Sequence, residues 1–176
     1  MLIMMSDITV QLADRREFPA TVLLDDPRSD LAVLKIDTKG ERLPTIAIDD
    51  QEQLEVGDLV LAMGNPFGVG QTVTMGIVSA LQRSTNASEY QSFIQTDAAI
   101  NQGNSGGALI TSDGRLIGIN AQIVSSNGGS IGIGFAIPAD LVRTVVASIL
   151  KEGRAVRAWF GATGTTITAR LILQSP

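Results

Sequence analysis

Short apolar runs separated by turn sequences are the feature that most constrains this chain. The run Leu31–Ile36 is continuous and apolar, which is typical of a buried strand, whereas residues 8–12 alternate apolar and polar side chains. Ser112-Asp113-Gly114-Arg115 separates two further runs and predicts a hairpin turn. Many short strands at this spacing predict an all-β domain, either a barrel or a sandwich.

The predicted secondary structure contains one helix, over residues 138–152, near the end of the chain. Leu141, Val145 and Ile149 share one of its faces, Pro138 suits its first turn, and Gly153 suits its C-terminal stop. We expect this helix to pack against the β structure and to carry no chemistry. The strands are predicted at residues 8–12, 18–24, 31–36, 59–63, 71–81, 93–96, 108–111, 116–123 and 131–137.

The composition argues against several kinds of function. With 13 basic and 18 acidic residues the formal net charge is −5, and no basic run is present, so we expect no nucleic-acid partner. The chain contains neither cysteine nor histidine, so we expect no metal site and no cofactor. Residues 1–5 are apolar but too short for a signal peptide, and we expect neither a signal peptide nor a transmembrane segment in this chain.

A serine between glycines, in Gly103-Asn104-Ser105-Gly106-Gly107, is the candidate for chemistry. Glycine lets the backbone turn tightly, so that the hydroxyl projects and successive N–H groups converge as an oxyanion hole requires. An ordinary glycine-rich turn explains these five residues equally well. The nucleophile elbow of α/β-hydrolases also fits the pattern, but it needs a following helix, whereas an apolar run and a hairpin turn follow here.

The surroundings of this serine resemble a known protease family. Residues 94–109, IQTDAAINQGNSGGAL, are similar to the active-site segment of the HtrA/Deg serine proteases, and residues 26–36, DPRSDLAVLKI, are similar to the segment around that family's catalytic aspartate. MGNPFG at 63–68 and IGIGFAIP at 131–138 match in the same order. The resemblance extends from about Ser6 to Phe160 and is nearest to the periplasmic stress-sensor Deg type.

The resemblance implies a chymotrypsin-like double β-barrel and the activity of a serine endopeptidase. Ser105 matches the nucleophile and Asp30 the triad aspartate, and the backbone N–H groups of Gly103 and Ser105 match the oxyanion hole. Asp97 is not a second catalytic acid in this family, and we expect it to accept hydrogen bonds from backbone N–H groups. The loops at 82–92 and 125–130 match loops that regulate activation. The strand that would pair with the substrate backbone comprises Ile117, Gly118, Ile119, Asn120 and Ala121.

The same resemblance implies protein partners and an extracytoplasmic location. The substrates would be unfolded or regulatory proteins and peptides, taken by a small apolar S1 pocket during quality control or stress response. The location would be the periplasm or another extracytoplasmic compartment. A homotrimer is expected from the family, although the N-terminal segment through which its members often trimerise is missing from this sequence.

The chain departs from the family pattern at both ends. The family's histidine precedes the aspartate, and no histidine is present here. We therefore expect residues 1–59 to form an incomplete N-terminal barrel, and residues 60–160 to form the C-terminal barrel with the helix. Residues 161–176 would be an irregular tail in place of a PDZ domain. We expect residues 60–150 to be the stable unit, because an incomplete first barrel exposes sheet edges and apolar faces.

Three interpretations of function stay open. In the first, the chain is an endopeptidase that is inactive alone, because the serine hydroxyl is a weak nucleophile without a histidine base. It would become active only if a histidine-bearing segment were supplied in trans. Alternatively, it is a pseudoprotease or peptide-binding module that captures extended polypeptides, or a truncated product without independent function. No motif places Lys35, Lys39 or Lys151 near Ser105 as a substitute base. We favour the inactive protease.

Overall fold

The backbone forms two β structures followed by a helix. The computed structural model describes residues 8–48, 54–65, 70–84, 92–123 and 128–156. The predicted tail at 161–176 and parts of the predicted loops at 82–92 and 125–130 lie outside these residues. The first structure is an antiparallel three-stranded sheet in the order β1-β2-β3. Its strands are β1 (Ile8–Gln11), β2 (Glu17–Asp26) and β3 (Leu31–Ile36).

The second structure is a closed barrel in the strand order β4-β5-β6-β9-β8-β7. Antiparallel pairing between β4 and β7 closes it. The helix α1 (Ala139–Glu152) follows the last strand directly. The strands are β4 (Leu59–Gly64), β5 (Thr72–Arg83), β6 (Phe93–Thr96), β7 (Ala108–Thr111), β8 (Leu116–Ile123) and β9 (Gly134–Pro138).

Alternation of side chains along the strands fills the barrel. In β4, Val60 and Ala62 are fully buried, while the flanking Leu59 is exposed, as expected when successive side chains point to opposite faces. Burial of apolar surface in this interior is the main force that holds the barrel together. The interior cluster consists of Val60, Ala62, Val78, Ile94, Ala98, Ile100, Leu109, Ile117 and Ala136.

A second apolar cluster joins the three-stranded sheet to the barrel wall and the helix. Leu31, the first residue of β3, packs in it with Ile137 of β9 and with Val145 and Ile149 of α1. Phe93 and Phe135 belong to the same cluster, with their ring centroids 5.8 Å apart. This packing fixes the start of β3, and therefore Asp30 beside it, against the outside of the barrel.

The all-β prediction with one C-terminal helix is confirmed. Gly153 adopts a left-handed conformation with φ 67° and donates its N–H to the Ile149 carbonyl at 2.9 Å, which ends the helix as predicted. Pro138 is the N-cap and the last residue of β9, not the first helical residue. The prediction that a strand begins at Ile131 was wrong, because Gly132 has φ 81° and interrupts the extended backbone before Gly134.

The predicted hairpin turn after β7 is confirmed. Gly114 has φ 88°, and the Thr111 N–H donates to the Arg115 carbonyl at 2.9 Å. Hydrogen bonds from Thr111 and Arg115 hold the pKa of the Asp113 carboxyl below its usual value. None of the helices among the described residues is long and apolar enough to cross a membrane.

Candidate active site

Ser105 lies at the top of a tight turn that leads into β7. Gly103 has φ 98° and Gly106 has φ 84°, conformations that residues with a Cβ rarely adopt. The Gly107 N–H closes the turn by donating to the Asn104 carbonyl at 2.9 Å. As a result Asn104 is buried beneath the turn while Ser105 is exposed.

The end of β4 supports this turn from below. A Cβ on Gly107 would lie 2.0 Å from the Met63 carbonyl oxygen, so the two backbones meet without room for a side chain. A Cβ on Gly64 would lie 2.6 Å from Oδ1 of Asn104. Both glycines are therefore required by close approach, and the turn has little freedom to move toward β4.

Strand β8 holds the turn from the side. The Gly106 N–H donates to the Asn120 carbonyl at 2.8 Å, and the Asn120 N–H donates to the Gly107 carbonyl at 2.8 Å. The Ser105 hydroxyl donates to the Ala121 carbonyl at 2.9 Å. The nucleophile candidate is thus bound to β8 through its own side chain and through the two residues that follow it.

Ala121 is the extra residue of a β-bulge. The pairing of β8 with β9 passes from Asn120–Ala136 to Gln122–Phe135, so Ala121 has no partner in this register. Bulges often occur next to active sites, where they redirect a backbone or side-chain group. Here the bulge residue Ala121 itself supplies the carbonyl that accepts the Ser105 hydroxyl.

Two backbone N–H groups of the turn are available to an outside acceptor. In the part of the chain that the structure describes, the N–H groups of Gly103 and Ser105 donate to no protein acceptor. Donors of this kind can stabilise negative charge that develops on a substrate oxygen. They are the two groups that the resemblance assigned to the oxyanion hole.

Asp30 is held in place by the turn between β2 and β3. The Ser29 N–H donates to the Asp26 carbonyl at 3.2 Å, and the buried Ser29 hydroxyl donates to the Asp26 carboxylate. Asp30 itself is exposed and has φ 53°. Asp26 and Ser29 were not predicted from the sequence, although an Asp and a Ser three residues apart around a proline are a known signal for such side-chain turns.

Asp30 and Ser105 open into the same cleft, which has a volume of about 520 Å³. Its remaining walls are mainly apolar and come from β3, β8, β9 and α1. The cleft therefore combines a carboxylate and a hydroxyl with mainly apolar walls. Its other lining residues are Leu31, Ala32, Val33, Leu34, Gly106, Ile119, Asn120, Ala121, Ile137, Val142, Val145 and Val146.

Only part of the predicted substrate strand reaches this cleft. Ile119, Asn120 and Ala121 line it, whereas Ile117 is buried in the barrel interior and Gly118 does not line it. The backbone of Gly118 pairs with Leu109 on one side and Pro138 on the other. Among the described residues, the side of β8 that faces β7 has no strand partner from Ala121 onward.

Asp97 lies outside the cleft. Its Oδ1 accepts the Ile77 N–H at 2.7 Å, and a Cβ on Gly76 would come within 2.5 Å of the same oxygen. The prediction that Asp97 accepts a backbone hydrogen bond is confirmed, and its role is to join β5 to the loop that follows β6.

Comparisons with known proteins agree with this geometry. The model of the trypsin-like peptidase domain matches residues 4–119. The chain belongs to the HtrA/Deg family of trypsin-like serine proteases. It is 50% identical over 167 residues to the periplasmic serine endoprotease DegP of Salmonella typhimurium, covering 94% of this chain and 35% of that protein. It is also 50% identical over 163 residues to the periplasmic pH-dependent serine endoprotease DegQ of Escherichia coli, covering 92% of this chain and 36% of that protein.

Solved structures of HtrA-type proteases share the fold. A structure of the HtrA-type protease AlgW with a decapeptide has a TM-score of 0.85 and 51% identity, and the match covers 96% of this chain and 51% of that one. The prediction of a chymotrypsin-like β fold is confirmed. The chain spans about a third of the length of the DegP and DegQ relatives.

Proposed function

We propose that this chain is the peptidase part of an HtrA-type serine endopeptidase that cleaves extended segments of unfolded or regulatory proteins. The observation that carries the proposal is the shared cleft, which both Asp30 and Ser105 line. Ser105 lies in the tight turn of residues 103–107, the nucleophile turn, where the N–H groups of Gly103 and Ser105 have no acceptor among the described residues. Family membership agrees with it, since the named relatives are serine endoproteases.

The proposed chemistry assigns one step to each group. The Ser105 oxygen attacks the substrate carbonyl carbon and gives up its proton to a nitrogen base, while the Gly103 and Ser105 N–H groups stabilise the resulting oxyanion. Asp30 orients that base and stabilises its protonated form. The 176 residues contain no histidine, so we infer that the base comes from a histidine-bearing segment outside them.

We propose that the substrate lies extended along the end of β8. The backbone of this strand is already paired on both sides up to Ile119, and the ladder with β7 ends there, so an incoming strand would add beyond the nucleophile turn. Solved relatives hold a decapeptide or a tripeptide, which agrees with a peptide-binding role. Because the named relatives are periplasmic, we also propose a periplasmic location for this protein.

Covalent labelling tests the proposal directly. We expect a fluorophosphonate probe to modify Ser105 when imidazole at high concentration replaces the missing base, because the small ring fits the cleft beside Asp30. The measurement is the labelling rate by mass spectrometry, with and without imidazole.

Two variants make the labelling result specific. Ser105→Ala should abolish labelling, and Asp30→Asn should reduce the imidazole-dependent rate because the base is no longer oriented. If the parent chain binds an extended peptide but is never labelled at Ser105 with imidazole present, the peptide-binding interpretation replaces the protease.

We further propose that copies of the chain self-associate, as a homotrimer, through the outer face of the β4–β5 hairpin. Leu59 is 53% exposed and Met75 is 70% exposed, which is unusual for large apolar side chains on a barrel. Their cross-strand neighbours on this face are also apolar. The three opposed pairs are Leu59–Ile77, Leu61–Met75 and Met63–Val73.

A charge on this face should dissociate the oligomer. Met75→Lys is expected to shift the chain toward monomer, because a lysine in an apolar interface loses its hydration. Size-exclusion chromatography with light scattering measures the mass, and Thr9→Lys, on an exposed position of β1, is the control. A parent chain that is monomeric at every tested concentration would rule the interface out.

A further inference from the structure

Asn120 is a fully buried polar residue in the wall between the barrel interior and the nucleophile turn, with 0% of its surface exposed. It lies in β8 directly before the bulge at Ala121. Its backbone exchanges two hydrogen bonds of 2.8 Å with Gly106 and Gly107, as described above. A buried amide at this position needs a physical reason, because its polar atoms lose their contact with water.

The side-chain amide of Asn120 forms hydrogen bonds with two further strands, β4 and β7. Its Nδ2 donates to the Met63 carbonyl at 3.0 Å and to the Ala108 carbonyl at 3.2 Å. Met63 is near the end of β4, and Ala108 begins β7. The Met63 carbonyl is also the group that leaves no room for a Cβ on Gly107. One NH₂ group therefore faces two carbonyl oxygens where three backbone segments converge.

The residue type matches this environment in a specific way. A leucine has nearly the same shape but no donor, and an ionised aspartate would place a negative oxygen against two carbonyl oxygens. Meanwhile Oδ1 of Asn120 has no hydrogen-bond donor in the described part of the chain. An unpaired buried acceptor opposes folding, so the favourable contribution of this side chain comes from its two N–H donors.

We propose that Asn120 is the positioning residue of the nucleophile turn. Its backbone forms hydrogen bonds with Gly106 and Gly107, and its side chain donates hydrogen bonds to the end of β4 and the start of β7. The residue that follows it, Ala121, supplies the carbonyl that accepts the Ser105 hydroxyl. The inference rests on the proposed function only in taking Ser105 as the nucleophile. The expected effect on the turn is independent of catalysis.

Hydrogen exchange measured by NMR on the ¹⁵N-labelled chain tests this role without requiring activity. In Asn120→Leu, the protection of the Gly106 N–H should fall about tenfold, which corresponds to the loss of roughly one hydrogen bond. The amides of the β5–β6 ladder should keep their protection. Thr96→Val is the matched control, because Thr96 is also fully buried and its hydroxyl donates to the Ile77 carbonyl at 2.7 Å, away from the turn.

A second variant tests whether restoring a hydrogen-bond donor also restores the protection of the Gly106 N–H. A role in packing alone would not produce this recovery. The carboxyl group in Asn120→Asp keeps the shape of the amide and can donate a hydrogen bond only when protonated. Protection at Gly106, corrected for intrinsic exchange rates, should therefore return as the pH falls, whereas in Asn120→Leu it should not. Unchanged protection at Gly106 in both variants, or an equal loss at every barrel amide, would overturn the proposal. Labelling of Ser105 is a separate measurement, so a failure of the proposed protease function would be recognised independently.

Discussion

The purified 176-residue chain is expected to leave casein and peptide substrates intact when it is assayed alone. Removal of the histidine from a Ser-His-Asp protease lowers kcat by on the order of 10⁶-fold. The chain contains no histidine, and its Ser105 hydroxyl donates to the Ala121 carbonyl at 2.9 Å. An amide carbonyl is too weak a base to accept that proton during attack, so the serine stays a poor nucleophile.

The matching control is Ser105→Ala under the same assay, with release of labelled peptide followed over days. Parent and variant should cleave the peptide at the same very low rate. Any residual catalysis would come from the backbone N–H groups of the turn, which both proteins share. Cleavage by the parent but not by Ser105→Ala would contradict the prediction. It would mean that some other group, such as a lysine, acts as the base.

A complementing segment should change this result. Asp30 and Ser105 both line one cleft, so under the proposed function a correctly placed histidine base would complete the constellation. Strand β3 lines the same cleft, and among the described residues it is the last strand of its sheet and pairs only with β2. Strand edges without a partner accept additional strands, so we expect an added histidine-bearing polypeptide to pair with β3 and to restore cleavage of a labelled peptide in the same assay.

Local patterns in the sequence predicted most of the fold. The strand Leu31–Ile36 and the strand Phe93–Thr96 have the predicted bounds, because their apolar runs end at turn residues. The start of β9 was predicted wrongly, since Ile131 and Ile133 are apolar but Gly132 takes a positive φ. Apolar character alone does not show whether the backbone remains extended.

The candidate site was only partly visible in the sequence. The glycines around Ser105 indicated a tight turn, and the resemblance pointed to Asp30, but neither indicated the bulge at Ala121. A bulge depends on how two distant strands align, which no local pattern encodes. The buried amide of Asn120 depends likewise on carbonyls brought from β4 and β7 by the closure of the barrel.

The exchange of Gly107 for alanine is expected to have the largest effect on stability. Gly107 does not have a positive φ, so alanine suits its backbone conformation, and only the missing space opposes the new Cβ. That Cβ would lie 2.0 Å from the Met63 carbonyl oxygen, which belongs to the backbone of β4 and cannot rotate away. We expect Gly107→Ala to lower the free energy of unfolding by about 3 kcal/mol or more, at the upper end for overpacked sites.

The control for this prediction is the neighbouring glycine. Gly106 has φ 84° and no atom within 4 Å of a built Cβ, so Gly106→Ala suffers only the conformational cost of about 1–2 kcal/mol. Thermal unfolding by circular dichroism should therefore place Gly107→Ala about 10 °C below the parent, with Gly106→Ala between them. The reverse order would show that the end of β4 yields more easily than the turn. In that case the close contact at Met63 would not be what holds Ser105 in place.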